Sequence, residues 1–514
     1  MSTTSEKTIV RGASEQTKAD RSVSSKLEMI NGERNLRPLF EPQGIAVIGA
    51  SPKPGFAKSI LNSIVSSGFD GNIAAVNPNY DTIDDVACYR CISDVPFRVD
   101  LAVLCVRAEK ILAVLEECRR KSVGAAQIIS SGFAELDSEE GRARQQQIER
   151  WTEDSATPIV VGPNTLGVIN LHRPMIAIGD SRLPNIVPGG VSCVFQSGQM
   201  FTIVHPLIGR GVGVGKIAMT GNEVTLTTAE VINFFAHDPQ TEVIVSYSEG
   251  IKDPESFAAA CTHARKQGKP IIMLRVGAHL EVRKGIGRHT ATKAANSYER
   301  DIQFLEELGV ITVDSAEDLV ETVVAFKASQ RPRGNRVAFA SFSGGMGNIM
   351  ADLILSTRSL KLISFSDQLC KRLAGVLPKF ANSFNPLDLS AQSAFNTEVL
   401  SGCMQVLGDS GEFDILLWGK DLPMSIDDES PIGVALKRLQ AEHPEIVLIP
   451  VSQMSGVHWG KQVDGIPPMF CGRPLLQGTG VSVRALGKVI EWHASALRPA
   501  AVDHLLAAGD EQRE

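Results

Sequence analysis

His289 lies in the segment GIGRHTATKAAN, which has glycines before the histidine and small residues after it. Small neighbours leave room for a large group on an imidazole nitrogen, whereas a histidine packed in a core needs bulky apolar contacts. The pattern therefore predicts a loop that displays His289 for chemistry. A lone histidine is also compatible with a purely structural role, so this interpretation requires other functional groups nearby.

Two Ser-Gly turns elsewhere in the chain are candidates for such groups. FQSGQM contains Ser197 and Gly198, and FSGGMG contains Gly344 and Gly345. Each turn connects a predicted strand to a predicted helix, and the N–H groups that open a helix bind anions such as phosphate. Taken alone, each is equally compatible with an ordinary strand-to-helix turn.

Glu249 ends the predicted strand VIVSYSEG. Parallel α/β sheets place their sites at the carboxyl ends of strands, and a carboxylate there can orient an imidazole through its second nitrogen. A simply solvated glutamate is the alternative. Two anion-binding turns, a histidine and an orienting carboxylate are together the parts of a phosphohistidine carrier.

A further candidate is the loop VIGASPKPG, which precedes the predicted helix KSILNSIVSSGF. A glycine after the first strand allows a sharp turn, and the helix start offers an anion site, so this is a candidate nucleotide or phosphate loop. The spacing from Gly49 to Gly55 is not G-x-G-x-x-G, and Lys58 and Ser59 occupy the place of a third glycine. The loop is therefore a poor nicotinamide fingerprint, and an ordinary tight strand-to-helix turn is the alternative.

The elements that position these residues follow one pattern, repeated three times. Short apolar runs typical of buried strands alternate with segments whose apolar residues recur with the period of a helix. This alternation predicts an α/β fold with parallel sheets. The repeats begin at GIAVIGA, GGVSCVFQSG and RVAFASFSGGMG, and the linker QRPRGN precedes the third. The predicted parts are a mobile arm (1–35), three α/β domains (36–172, 186–330 and 334–497) and a tail (498–514).

The composition excludes several classes of protein. The chain has 514 residues, is 43% hydrophobic and carries a formal charge of −7, so a nucleic-acid partner is not expected. No apolar run is long enough to span a membrane, and the N-terminus lacks the apolar core of a signal peptide. Nine scattered cysteines predict reduced thiols in a cytoplasmic protein. The pair Cys88 and Cys91 has metal-ligand spacing but no second pair, so no metal site is predicted.

A series of motifs then identifies a resemblance. VIGAS, VNP, SSGFAE, GPNTLG, QSG, GNE, EGI, the histidine loop, SGGMG and NPLDLS resemble, in order, the NDP-forming acyl-CoA synthetases, relatives of succinyl-CoA synthetase. The resemblance covers residues 36 to 497. It implies a CoA-binding Rossmann-like domain followed by two flavodoxin-like parallel-sheet domains. In that family an ATP-grasp module, separate or fused, supplies the nucleotide site, and this chain resembles the part without it.

The resemblance also implies roles for individual residues. His289 matches the histidine phosphorylated by acyl phosphate or by ATP, and Glu249 matches the glutamate that steadies it. The turns at Ser197-Gly198 and Gly344-Gly345 match the helix starts that hold its phosphate. The residues matching CoA-binding motifs are Gly49, Ser51, Pro78, Ser131, Gly132 and Asn164.

This chain departs from the family pattern at four positions. Ala291 and Ala295 stand where the family's histidine loop has glycines. Asn79 replaces the lysine of V-N-P-K, and Thr165 replaces the cysteine of G-P-N-C. The expected CoA phosphate contacts therefore shift to Lys53 or Lys58.

The function expected from the resemblance is that of a subunit of an acid–CoA ligase. A small carboxylic acid, CoA and ATP would give acyl-CoA, ADP and phosphate through an acyl phosphate. ATP and Mg²⁺ would bind through an ATP-grasp beta-type partner subunit, in an oligomer. Two alternatives stay open: an acyl or carbamoyl transferase without net ATP use, and a catalytically vestigial CoA-binding protein.

Overall fold

The computed structural model describes residues 29–30, 33–154, 157–179, 188–279, 282, 298–329, 331–421, 426–427, 429–456, 469–470 and 472–495. Most of the predicted arm, the predicted tail and His289 lie outside these residues. Within the described ranges, no helix has the length and apolar character needed to cross a membrane.

The first region is built on a seven-stranded sheet, preceded by a short antiparallel pair, β1 with β2. Its strands follow the order β5-β6-β4-β3-β7-β8-β9, and only the β5–β6 pair is antiparallel. β3 and β7 are buried along their whole length because helices cover both faces of a parallel sheet. The elements are β1 (Met29–Ile30), β2 (Glu33–Arg34), α1 (Arg37–Phe40), β3 (Gly44–Ile48), α2 (Phe56–Ser66), β4 (Asn72–Val76), β5 (Thr82–Ile83), β6 (Val86–Tyr89), β7 (Leu101–Leu104), α3 (Ile111–Arg120), β8 (Ala125–Ile128), α4 (Glu139–Trp151) and β9 (Ile159–Val161).

The second region also has a seven-stranded sheet, ordered β11-β10-β13-β12-β14-β15-β16. The strands that are parallel to one another are β12, β13, β14, β15 and β16. β10 is antiparallel to both of its neighbours, β11 and β13. By sequence β10 falls within the range predicted for the first domain, yet it bonds to the second sheet. The elements are β10 (Val168–Asn170), β11 (Met175–Ala177), β12 (Pro188–Phe195), α5 (Val204–Gly209), β13 (Val214–Met219), α6 (Thr228–His237), β14 (Val243–Ser248), α7 (Pro254–Lys266), β15 (Ile271–Arg275), α8 (Tyr298–Glu307), β16 (Ile311–Val313) and α9 (Ala316–Ala328).

The third region has a parallel sheet ordered β18-β17-β20-β21-β24, with β19 paired to the end of β17. β22 and β23 form a separate antiparallel pair. The elements are β17 (Arg336–Ser341), α10 (Gly344–Leu355), β18 (Lys361–Leu362), α11 (Asp367–Val376), β19 (Leu387–Asp388), α12 (Thr397–Gly408), β20 (Ile415–Lys420), α13 (Pro431–Glu442), β21 (Val447–Ser452), β22 (Met469–Phe470), β23 (Arg473–Pro474), β24 (Leu476–Gln477) and α14 (Thr479–Ser495).

Side-chain caps explain where many helices begin. At these helix starts a side-chain oxygen of the residue before the helix accepts a hydrogen bond from a backbone N–H of the first turn. Each such cap contributes about 1 kcal/mol to stability. The cap of α6 is a full capping box between Thr227 and Glu230. The other capping residues are Ser138, Asp253, Ser315, Ser343, Ser366, Asn396 and Ser430.

The second and third sheets share a continuous apolar core in which α9 packs against α14. A buried ion pair of the second region lies at this contact. Arg210 donates to both carboxylate oxygens of Glu321, at 2.9 and 3.3 Å, and the backbone N–H of Gln477 donates to Glu321 at 2.7 Å. Burial raises the pKa of Glu321, and Arg210 opposes that rise. The bond from Gln477, together with a bond from Arg210 to the Leu475 carbonyl at 2.6 Å, connects this pair to the third region.

Candidate functional site

Two predicted site segments leave neighbouring strands of the second sheet. β12 and β14 run parallel, with Phe195 opposite Tyr247. The turn at Ser197-Gly198 follows β12, and Glu249 follows β14. Because parallel strands end at the same sheet edge, the structure brings this turn and this carboxylate together.

Gln196 connects the two strand ends. Its side-chain oxygen accepts the N–H groups of Glu249, at 2.5 Å, and Gly250, at 3.2 Å. Its side-chain nitrogen donates to the Gly250 carbonyl at 2.8 Å and to Glu223 Oε1 at 3.3 Å. All four hydrogen-bonding positions of the carboxamide are therefore used, which fixes its orientation. Gln196 is buried, so these bonds lie away from bulk water.

The carboxylate of Glu249 is also held from its own strand. The Tyr247 hydroxyl donates to Oε1 of Glu249 at 3.1 Å, and Glu249 itself is buried. Burial, together with the nearby negative charge of Glu249, raises the pKa of Tyr247. Tyr247 therefore stays a protonated donor at physiological pH.

The turn at Ser197-Gly198 opens a 3-10 helix, residues Gly198–Ile203, that runs into α5. Ser197 makes no side-chain cap there. A Cβ on Gly198 would lie 2.5 Å from Cγ of Leu166, in the GPNTLG segment. A glycine is therefore required at this position by close packing.

The second predicted anion-binding turn opens α10 in the third region. Ser343 caps this helix by accepting the N–H of Met346 at 3.3 Å. A Cβ on Gly344 would lie 2.8 Å from Oδ2 of Asp388, whereas at Gly345 the nearest atom would be 3.8 Å away. A carboxylate therefore already lies at this helix start, where the helix dipole favours negative charge.

The histidine loop follows the strand next to that of Glu249. β15 pairs with β14, with Arg275 opposite Ser248. Arg275 is buried and donates to Asp301 Oδ2 at 2.6 Å. His289 lies beyond this strand, outside the described residues, together with Ala291 and Ala295.

Gly49 forms the tight turn after β3. Its φ is +89°, its N–H donates to the Val76 carbonyl at 2.9 Å, and a Cβ would lie 2.5 Å from the Cys105 carbonyl oxygen. α2 then begins after Gly55 without a side-chain cap. Uncapped N–H groups at a helix start are chemically suited to bind an anion such as a CoA phosphate.

The polar side chains around this loop differ in their exposure and in whether they form an ion pair. Ser51 is partly exposed and Lys53 is exposed. Lys58 lies on the first turn of α2 and forms an ion pair with Asp84. Lys53 is therefore better placed than Lys58 to meet an incoming phosphate.

The remaining predicted CoA-binding residues lie at the same edge of the first sheet. Pro78 follows β4 and is exposed, and the Asn77 side chain before it donates to the Ala50 carbonyl at 2.7 Å. Ser131 is exposed in the loop after β8. Asn164 follows β9 with a φ of +58°, and its N–H donates to the Ser130 carbonyl at 3.0 Å.

Gly132, in the loop after β8, has a φ of +113°. Its N–H donates to Glu135 Oε1 at 2.6 Å, and its carbonyl accepts from Arg144 at 3.1 Å. The Phe133 N–H donates to the same oxygen of Glu135, at 3.1 Å. These two amides are therefore engaged inside the protein rather than directed to a ligand.

Asn222 is a residue that sequence reasoning missed. Its buried side chain donates to Glu135 Oε2 at 2.6 Å and to Gln145 Oε1 at 3.1 Å. Its carbonyl accepts from Lys252 at 2.6 Å. Asn222 therefore connects the loop after β8 with the end of the second sheet. The motifs GNE and SSGFAE contain both partners, but nothing in the sequence pairs them.

Glu223 is a second residue of the site that sequence reasoning missed. It is buried with a φ of +53°, and its Oε1 accepts from Thr220 at 2.8 Å and from Gln196 at 3.3 Å. The Thr228 hydroxyl donates to the same atom at 2.5 Å. Lys252 lies beside it, and burial lowers the pKa of that lysine. Glu223 thus anchors Gln196 from the side opposite to Glu249.

The described residues include no group of three or more His, Cys, Asp or Glu side chains placed to hold a metal ion. Cys88 and Cys91 are both free thiols, and the Cys88 thiol contacts the Asn77 carbonyl at 3.6 Å. Burial raises the pKa of Cys88.

Comparisons with known proteins identify two families and several relatives. Residues 43–170 match the CoA binding domain, and residues 188–326 match the succinyl-CoA ligase like flavodoxin domain. The ADP-forming 4-hydroxybutyrate–CoA ligase of Nitrosopumilus maritimus is 32% identical over 363 residues, which cover 70% of this chain and 51% of that protein. The alpha subunit of ADP-forming acetate–CoA ligase I from Pyrococcus furiosus is 30% identical over 365 residues, covering 70% of this chain and 77% of that subunit.

This chain spans about half the length of the 4-hydroxybutyrate–CoA ligase and of three other ADP-forming relatives. Among solved structures, acetyl-coenzyme A synthetase 1 of Ca. Korarchaeum cryptofilum superposes with a TM-score of 0.77 at 22% identity. The match covers 92% of this chain and 99% of that chain, which shows a shared fold. The predicted α/β fold class is thereby confirmed.

Proposed function

The chain belongs to the ADP-forming acyl-CoA synthetase family, and on that premise we propose that it is the CoA-binding, phosphohistidine-bearing part of an acid–CoA ligase. The complete enzyme would convert a small carboxylic acid, CoA and ATP to acyl-CoA, ADP and phosphate through an acyl phosphate. A cytoplasmic location remains a prediction from the sequence.

One observation carries the proposal most directly. Gln196 joins the turn that begins at Ser197 to the backbone of Glu249, at the carboxyl ends of two adjacent parallel strands. An uncapped helix start beside a fixed, buried carboxylate supports the binding of a phosphoryl group carried by an imidazole. His289 is proposed as that imidazole on sequence alone.

The chemistry proposed for His289 is phosphoryl transfer in two steps. An imidazole nitrogen attacks phosphorus as the bond to the leaving oxygen breaks, and the resulting P–N bond is later broken by the next acceptor. Glu249 accepts the N–H of the other imidazole nitrogen and stabilises its positive charge. The helix starts at Ser197-Gly198 and Gly344-Gly345 stabilise the equatorial phosphoryl oxygens.

CoA is the substrate proposed for the first region. The start of α2, with Gly49, Ser51 and Lys53, would hold its phosphates, and its thiol would attack the acyl carbon of the acyl phosphate and release phosphate. The positive φ of Gly49 and the uncapped helix start support this assignment. Pro78, Ser131 and Asn164 line the same sheet edge.

The proposed nucleotide site lies on a partner. The similarity to a protein named as an alpha subunit supports an ATP-grasp beta-type subunit, which would bind ATP and Mg²⁺ and phosphorylate His289. The sequence contains no G-x-x-x-x-G-K-[ST] phosphate loop. We therefore expect the chain to need this partner for the complete reaction.

The test measures ADP release and thioester formation from ATP, CoA and a panel of acids, with and without an added ATP-grasp subunit. We expect turnover only with the partner, and ADP rather than AMP as product. Robust ATP-driven turnover by the chain alone would refute the partner requirement. CoA binding without phosphoryl labelling would favour a vestigial site, and acyl exchange between donors without ATP use would favour a transferase.

A further inference from the structure

Asn222 lies in the second region, in the turn after β13, but it bonds to two loops of the first region. Its buried side chain donates to Glu135 Oε2 at 2.6 Å, in the loop after β8. Its backbone N–H donates to the Pro163 carbonyl at 2.9 Å, and its side-chain oxygen accepts from Asn164 at 3.5 Å, both in the loop after β9. One residue of the second region therefore contacts both loops.

These two loops carry residues predicted to bind CoA. Ser131 and Gly132 follow β8, and Asn164 follows β9. β8 and β9 are parallel neighbours, so both loops leave the same edge of the first sheet. Because Asn222 itself is fully buried, it can affect a bound CoA only through these loops.

Glu135 forms the connection to the loop after β8. Its Oε1 accepts the N–H groups of Gly132, at 2.6 Å, and Phe133, at 3.1 Å, while its Oε2 accepts from Asn222. With these two amides held inside the protein, Ser131 stays exposed at the sheet edge. Without the bond to Asn222, the carboxylate is free to turn about its terminal bond and release the two amides.

Asn222 is itself held in one orientation. Its Nδ2 also donates to Gln145 Oε1 at 3.1 Å, and its carbonyl accepts from Nζ of Lys252 at 2.6 Å. Lys252 donates to the neighbouring Glu223 carbonyl as well, at 2.9 Å. A buried amide whose donors and acceptors all have partners is fixed in place.

We propose that Asn222 is a positioning residue for CoA: from the second region it holds two loops of the first region in the shape that receives CoA. This inference rests on the CoA-binding function proposed above. The CoA affinity of the first region then depends on a hydrogen bond that the second region donates.

Exchanging donor and acceptor in this bond tests the proposal on the full chain. Glu135→Gln sets its new amide N–H groups against those of Asn222, and Asn222→Asp sets two carboxylates against each other. Each single variant should bind CoA about tenfold more weakly, because a hydrogen bond from Asn222 to an ionised group is lost. The double variant regains a donor that faces an acceptor, together with the net charge of the wild type. It should therefore bind CoA more tightly than either single variant, as calorimetry measures.

Two matched variants separate this effect from charge and from a general loss of stability. Glu139→Gln removes one negative charge from an exposed residue of α4 and should bind CoA as the wild type does. Thr241→Ala removes a buried hydroxyl of the second region that contacts Ser192 at 2.8 Å and Asp238 at 2.7 Å. This variant should have a lower melting temperature and an unchanged CoA affinity. Melting temperatures also show which variants are folded.

Three results would count against Asn222 as a positioning residue. They are folded single variants with wild-type CoA affinity, a double variant that binds no more tightly than the single variants, and an equal loss of affinity in Thr241→Ala. If Asn222→Asp does not fold, Asn222→Ser, which is uncharged and too short to reach Glu135, is measured in its place. Absence of CoA binding by the folded wild-type chain at millimolar concentration would instead overturn the CoA-binding function, and this inference with it.

Discussion

The side-chain oxygen of Gln196 lies 2.5 Å from the backbone nitrogen of Glu249. This bond joins the ends of two parallel strands that meet at the candidate site. Because the same carboxamide also bonds Gly250 and Glu223, the position of Glu249 is set by a buried polar network rather than by its own loop alone.

Gln196→Ala should therefore destabilise the protein. The change leaves the buried N–H groups of Glu249 and Gly250 without their acceptor, and each such group costs about 1–3 kcal/mol. Urea denaturation measures the free energy of unfolding. Gln199→Ala is the matched control, because Gln199 is exposed and its side chain should contribute little. Equal stability of the two variants would show that the network does not hold the strand ends.

His289→Asn should abolish acid-labile, base-stable labelling of the chain by an acyl phosphate and leave CoA affinity within a small factor. The two functions are proposed for different regions, which explains the separation. Glu249→Gln should lower labelling by the equivalent of about 1.5–3 kcal/mol, through loss of a charge-assisted bond to the imidazole. Radiolabelling and calorimetry measure the two properties. Label that persists in His289→Asn would contradict the proposed site.

Gly49→Ala should lower both stability and CoA affinity. The residue has a φ of +89°, and an added Cβ would lie 2.5 Å from the Cys105 carbonyl oxygen, so the loop must shift. Thermal unfolding and calorimetry with CoA and dephospho-CoA measure the effects. Gly375→Ala, in helix α11 with no atom within 4 Å of the new Cβ, should be neutral or slightly stabilising. If neither ligand binds the folded wild-type chain at millimolar concentration, the first region is wrongly assigned.

Glu116→Gln should remove part of the pH dependence of stability in the acid range. Hydrogen bonds from Arg119, and then from Trp151, lower the pKa of Glu116 from 4.5 to about 2. Because the folded state has the lower pKa, the stabilisation is present above pH 4.5 and is lost as the pH falls toward 2. Melting temperatures across this range should therefore differ most between wild type and variant above pH 4.5 and converge near pH 2. Glu117→Gln controls for the change in net charge, and a gap that stays constant with pH would count against this account.

The sequence predicts the fold class well because strands buried in a parallel sheet consist of short runs of apolar residues. GIAVI, DLAVL and IIMLR each form a strand where the alternation predicts one. The short strands β10 and β19 are not predicted from the sequence, because a run of two or three residues is too short to show a periodicity. Their pairing depends on contacts distant in the chain.

The candidate site was predictable in its motifs but not in its connections. Glu249 and Ser197 follow strands that the pattern predicts, and parallel strands necessarily end at one edge. The bond from Asn222 to Glu135 joins positions 87 residues apart, and no local pattern reports such a pairing. Gly132 illustrates the same limit, because only the structure shows its N–H occupied by Glu135.

β10 has a consequence for how such regions can be exchanged between proteins. It follows the first sheet in the chain, but its hydrogen-bonding partner β13 belongs to the second. A cut between residues 180 and 187 would leave β10 and β11 as an unpaired hairpin, and exposed strand edges recruit strands from other molecules. A fragment that contains the second sheet therefore has to include β10 and β11, although both strands precede β12 in the chain.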